Sequence, residues 1–118
     1  MALARDLSAP SKGRGVVRSL LGRDVPRSFV SNALLATSEL VTNALLHAHG
    51  ALDISARYDR ERGLLRVEVS DSSSDVPTPM DSVPSEPGGR GLSVVARLSS
   101  AWGCMVNEQG KTVWFELS

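Results

Sequence analysis

The sequence predicts an α/β protein, a two-layer α/β sandwich whose mixed, mostly antiparallel sheet carries helices on one face. Three observations predict it. Two helical patterns precede a pair of alternating segments joined by a short polar turn, and after a long loop a third helical pattern precedes a second such pair. Strands joined by tight turns run antiparallel, so each pair is a hairpin packed under helices. The chain has 118 residues, 42% hydrophobic and 22% charged, which suits one domain over 1–118 with a core of its own.

In chain order, residues 3–7 read as a short edge strand, and Ser8 to Ser11 as a turn leading into a helix. Val16, Val17, Leu20 and Leu21 give that helix its apolar spacing between Gly13 and Leu21. Gly22 and Pro26 bracket a break, and a long helix follows from about Arg27 to about Ala48, stopped by Gly50. Residues 51–58 alternate with Leu52, Ile54, Ala56 and Tyr58 on one face. Residues 59–63 make a hairpin connection, and 64–70 alternate again through Leu65, Val67 and Val69. Residues 72–91 then hold five serines, four of the six prolines and three of the ten glycines, with no apolar period. A loop of that length inside a compact domain is commonly functional or disordered. A helix is expected from around Gly91 to near Ser100, then a final hairpin of Trp102 to Val106 and Thr112 to Leu117. There are no internal repeats.

Composition excludes several classes of function. Thirteen basic and thirteen acidic residues balance to zero, which argues against direct nucleic-acid binding or attachment to an acidic membrane. The neutrality is uneven: residues 1–30 hold six bases against Asp6 and Asp24, and residues 67–86 hold five acids and no base. One cysteine, Cys104, excludes an internal disulfide and a cysteine-rich zinc site. No apolar run is expected to span a membrane, and the first residues lack the apolar stretch of a secretion signal, so a cytoplasmic protein is expected.

The long helix carries the chemistry. Glu39, Asn43 and His47 recur every fourth residue and form a narrow polar strip. Leu40, Val41, Ala44, Leu45 and Ala48 flank it on one side, Leu35 and Leu46 on the other. A solvated face would be wider and carry Lys or Arg. Buried polar groups need partners, so the strip is either a satisfied internal network or a site facing a polar ligand. Glu with Asn one turn on suits an activated hydroxyl or water beside Mg²⁺, since hard cations take oxygen ligands. Asp71 ends a strand where the long loop opens, and can point into a pocket or simply start the turn. Gly89, Arg90, Gly91 and Leu92 lie at a helix start, where free N–H groups and the dipole favour phosphate. Trp102 and Trp114 are expected to pack in the terminal hairpin and against the helices, Cys104 to be a strand residue, and His49 to be exposed.

Together these segments resemble the nucleotide-binding boxes of the GHKL ATPase superfamily, and most closely the small stand-alone bacterial ATP-binding proteins related to anti-sigma-factor serine kinases. Ser38-Glu39-Leu40-Val41-Thr42-Asn43-Ala44-Leu45-Leu46-His47-Ala48 resembles the first box and Val67-Glu68-Val69-Ser70-Asp71 the second. Gly89-Arg90-Gly91-Leu92 resembles the third, and Gly110-Lys111-Thr112-Val113-Trp114-Phe115 the closing strand. The resemblance implies a histidine-kinase-like fold, Mg-ATP as ligand, Glu39 as general base and Asn43 as the Mg²⁺ ligand. It further implies His47 near the phosphates, Asp71 on the adenine amino group, Thr112 near the adenine end, and 72–91 as the ATP lid holding Gly89 and Gly91. Where the superfamily continues Asp-x-Gly-x-Gly, this chain reads Asp71-Ser72-Ser73-Ser74-Asp75, with no glycine, and the resemblance implies that Arg90, between the lid glycines, approaches a γ-phosphate. The function implied is a serine/threonine kinase that phosphorylates an antagonist protein and sequesters a sigma factor, often as a homodimer. A non-catalytic nucleotide-gated binding module and a detached histidine-kinase catalytic domain are the alternatives.

Overall fold

The computed structural model describes residues 1–47, 50–72 and 89–118. Five strands, β1 (Ala2–Leu3), β2 (Leu52–Asp59), β3 (Leu64–Asp71), β4 (Ala101–Asn107) and β5 (Gly110–Leu117), form one sheet in the order β1-β2-β3-β5-β4. Helices α1 (Ala9–Leu20), α2 (Arg27–His47) and α3 (Gly89–Leu98) pack together on one face of it. The predicted two-layer sandwich is therefore present, but all four strand pairings are antiparallel. β3 and β4 do run in the same direction, yet β5 returns between them, so no parallel pair forms.

Two boundaries differ from expectation for local reasons. α1 begins at Ala9 rather than Gly13, because Pro10 falls in the first turn, where its fixed φ and missing N–H suit a helix. β1 stops at Leu3, and Asp6 Oδ1 accepts the Ser8 N–H at 2.8 Å, a local turn that competes with extension. Of the expected loop over 72–91, residues 73–88 lie outside the described residues, and 89–91 form the first turn of α3 instead.

The core is built from alternation on the sheet and one arc of α2. Leu65, Val67 and Val69 of β3 and Val113, Phe115 and Leu117 of β5 are buried against Ala33, Ala36, Leu40, Val41 and Ala44. The opposite sheet face is polar. There Arg66 donates from Nε to Glu68 at 2.7 Å and from a terminal nitrogen to Glu116 at 3.1 Å, with its guanidinium 4.2 Å from the Trp114 ring centroid. Trp102 packs against the core as expected, but Trp114 alternates onto this polar face, away from the helices.

The expected apolar flank of Leu35 and Leu46 is also corrected. They are 46% and 57% exposed, so the strip sits at the margin of the buried arc and not between two buried flanks. α2 further departs from the expectation that no segment could span a membrane. Arg27–Leu46 has a mean hydropathy of 1.2, long and apolar enough by composition alone, but its apolar arc packs against α1, α3 and the sheet.

Candidate functional site

Topology collects the candidate residues at one end of the sheet. α2 leads into the start of β2, where Asp53 pairs with Ser70 near the end of β3. The end of β3 pairs with the start of β5, Asp71 opposite Lys111. α3 is joined to β4 by Ser99 and Ser100 and packs mainly on α2. Close backbone contacts tighten this corner. A Cβ on Gly50 would lie 2.5 Å from that of Ser72, and one on Gly110, where φ is 144°, would lie 2.0 Å from the Asp71 carbonyl oxygen. The α2–β2 junction and the β4–β5 turn therefore both press on the residues that close β3.

Within this corner Asn43 is 6% exposed and Asp71 7%, while Glu39, one turn before Asn43, is half-buried at the solvent margin. His47 is the last residue of α2; its side chain and that of Arg90 lie outside the described residues. The backbone of 89–91 nevertheless opens a ten-residue helix, whose first N–H groups have no intrahelical acceptor. Leu92, grouped with these glycines in the sequence, turns into the core and anchors α3. His49 also lies outside the described residues.

The structure separates Thr112 from Asp71. Thr112 is the register partner of Ser70, and the two hydroxyls are 2.8 Å apart on the polar sheet face. Lys111 takes the position opposite Asp71 and is only 4% exposed. Sequence reasoning passed over Lys111 as part of a hairpin opening; the signal for it is cross-strand register, which becomes visible only once β3 and β5 are aligned. Cys104 lies in the same neighbourhood. Burial pushes its thiol pKa up, the Lys111 charge opposes that shift and the Asp71 charge reinforces it, so both charged groups act on one thiol. A polar cleft of about 160 Å³ opens here between Asp71, Lys111, Thr112 and the β4–β5 turn. That is smaller than the roughly 300 Å³ at which whole-ligand sites begin, so it suits part of a ligand.

Two basic residues fix the long helix from outside the site. Arg5 donates to the carbonyls of Ala44 at 3.1 Å and Leu45 at 3.4 Å, satisfying acceptors that the end of a helix leaves open. Arg14 of α1 donates to the Ser38 hydroxyl, one residue before Glu39.

The donor set fits a nucleotide with a hard cation. A buried carboxylate accepts an exocyclic amine, a helix N-terminus receives phosphate, and an amide oxygen suits Mg²⁺. Among the described residues no three His, Cys, Asp or Glu side chains cluster, and a cation held through Asn43 would be open to oxygen ligands from phosphate and water.

Comparison with known proteins places the fold. The chain resembles the structure of the RsbU and RsbW domains of Rv1364c from Mycobacterium tuberculosis, with a TM-score of 0.73 and 21% identity over 99% of this chain and 31% of that one. It also resembles the blue-light activated histidine kinase of Erythrobacter litoralis EL346, with a TM-score of 0.62 and 22% identity over 93% of this chain and 40% of that one. The histidine kinase domain of the same protein gives a TM-score of 0.58 and 20% identity, over 93% of this chain and 59% of that one. The chain thus spans less than two thirds of each, and at these identities the likeness establishes the fold. No curated protein matches. The family model described as "Histidine kinase-like ATPase domain" matches residues 4–117, nearly the whole chain, and the protein belongs to that family.

Proposed function

We propose that this chain binds Mg-ATP and acts as an anti-sigma-factor-like serine/threonine kinase toward an antagonist protein. The observation that carries the reading is Glu39 at the solvent margin of α2, one turn from buried Asn43, on the helix that ends beside the sheet end holding Asp71. ATP is the substrate: Asp71 accepts the adenine amino group, the 89–91 backbone faces phosphate, and Glu39 takes the proton from the attacking hydroxyl. Asn43 would hold a Mg²⁺ ion, which would supply charge neutralisation at the phosphates, where the family resemblance also puts His47 and Arg90. Most of the catalysis is then positioning and electrostatics. Glu39 at the solvent edge suits a hydroxyl delivered by another protein. Release of the phosphorylated antagonist frees the chain for a sigma factor, in the cytoplasm and as a homodimer.

The test is labelled-ATP transfer to candidate antagonist proteins. Glu39→Gln is expected to lower transfer at least a hundredfold while calorimetric ATP binding persists, and Asn43→Ala to weaken Mg-dependent binding. Undiminished transfer by Glu39→Gln rules out the general base. A second reading, a nucleotide-gated module without chemistry, is favoured by the serines after Asp71 and by Lys111 beside it. It predicts ATP-dependent partner capture that survives Glu39→Gln.

A further inference from the structure

The two edges of the sheet are guarded differently. β1 pairs with Leu52 and Asp53 of β2 and Met1 bonds the backbone of Ile54, and the rest of that edge carries Arg57 and Asp59, followed by Arg60. Charged side chains of this kind are a common protection of edge strands against pairing. β4 closes the other edge with no Lys, Arg, Asp, Glu or Pro among its seven residues, Ala-Trp-Gly-Cys-Met-Val-Asn. Met105 and Val106 are 50% and 45% exposed, and among the described residues they are the only exposed large hydrophobic residues on the sheet. The strand also has a gap in its side-chain row. At Gly103 a Cβ would meet the Trp114 indole at 2.9 Å, so the ring from β5 lies over that position.

We propose that the β4 edge pairs antiparallel with β4 of a second copy of this chain, on a two-fold axis through Cys104. A two-fold about the central residue uses all seven positions. It sets Gly103 opposite Met105 of the second copy and Trp102 opposite Val106, each pair occurring twice. The exposed thioether then lies beside Gly103, against the edge of Trp114, where sulfur and aromatic ring attract. No charges face one another, and both rows of open backbone groups are bonded. This deepens the homodimer reading above by naming its surface.

Sedimentation of the native protein over a concentration series, with hydrogen exchange of its amides, tests the pairing. The expected result is a concentration-dependent dimer in which the outward amides of β4 exchange at least tenfold more slowly than in dilute monomer. Met105→Lys should raise the dissociation constant at least tenfold with unchanged circular dichroism. A short thiol crosslinker should join native chains through Cys104 but not Val106→Cys in a Cys104→Ser background, since Val106 lies opposite Trp102. A monomer at every concentration overturns both the pairing and the homodimer. A dimer that resists Met105→Lys with unprotected β4 amides overturns this surface and leaves the homodimer standing. Protection of β4 only on adding another protein assigns the edge to that partner and overturns pairing between copies.

Discussion

A methyl group at Gly110 would sit 2.0 Å from the Asp71 carbonyl oxygen, in a backbone conformation with φ of 144°. Gly110→Ala must therefore shift the end of β3 as well as strain its own turn. It is expected to lose about 2–4 kcal/mol of stability by chemical denaturation and to weaken ATP binding. Gly63→Ala is the control: φ there is 61°, nothing lies within 4 Å, and about 1–2 kcal/mol with unchanged ATP binding is expected. A second prediction concerns pH. Burial raises the folded-state pKa of Cys104, so its protonated form supports the fold below the ordinary thiol range, and that support is lost as pH rises through the raised value. The denaturation midpoint of the native protein should fall at alkaline pH, and that of Cys104→Ala should fall less. Of the candidate site, Glu39, Asn43 and Asp71 could be picked out because helical spacing and a strand end are local patterns. That Lys111, and not Thr112, shares a face with Asp71 could not, because it depends on the register between β3 and β5.

At the scale of elements, α2 is the part on which the site depends, and its end is held by a residue from outside the helix. Arg5, just after β1, donates to the Ala44 and Leu45 carbonyls within the turn that follows Asn43. Arg5→Ala is expected to cost about 1 kcal/mol and to speed amide exchange in the last turn of α2 while leaving its first turns unchanged. Uniform acceleration along the helix would instead point to global loss of stability. The elements were largely readable because apolar period distinguishes the 3.6-residue repeat of α2 from the alternation of β2 and β3. Its limits are visible in Leu35 and Leu46. A helical projection places them beside the strip, but no single-helix pattern says where the partner layers end. The same holds for Trp114, whose face was fixed by alternation from Val113 and Phe115 and not by its own hydrophobicity. The expected parallel pairing failed for a topological reason, since β5 enters the space between β3 and β4.

At the scale of the molecule, the proposed site draws on four segments far apart in the chain: the end of α2, the end of β3, the start of α3 and the start of β5. A ligand that touches all four binds the folded chain and has no comparable surface on the unfolded one, so its binding free energy appears directly as stability. With Mg-ATP at about a hundred times its dissociation constant, the gain is about 2.7 kcal/mol, or roughly 10 °C in Tm for a domain of this size. On the proposed reading the shift should require both Mg²⁺ and nucleotide, because a cation held through Asn43 would take further ligands from phosphate. It should shrink in Asn43→Ala, which removes the proposed cation ligand, and in Asp71→Asn, which replaces the proposed acceptor of the adenine amine with a group that also donates. In Glu39→Gln it should persist, since the proton that Glu39 is proposed to remove belongs to the attacking hydroxyl and not to bound ATP. Measuring Tm for these three variants with ATP, GTP and Mg²⁺ alone separates the contributions of base, phosphate and cation. A shift of equal size with ATP and GTP would remove Asp71 from adenine recognition. No shift with any nucleotide, in a protein that melts cooperatively, would show that this member of the family keeps the fold without the ligand.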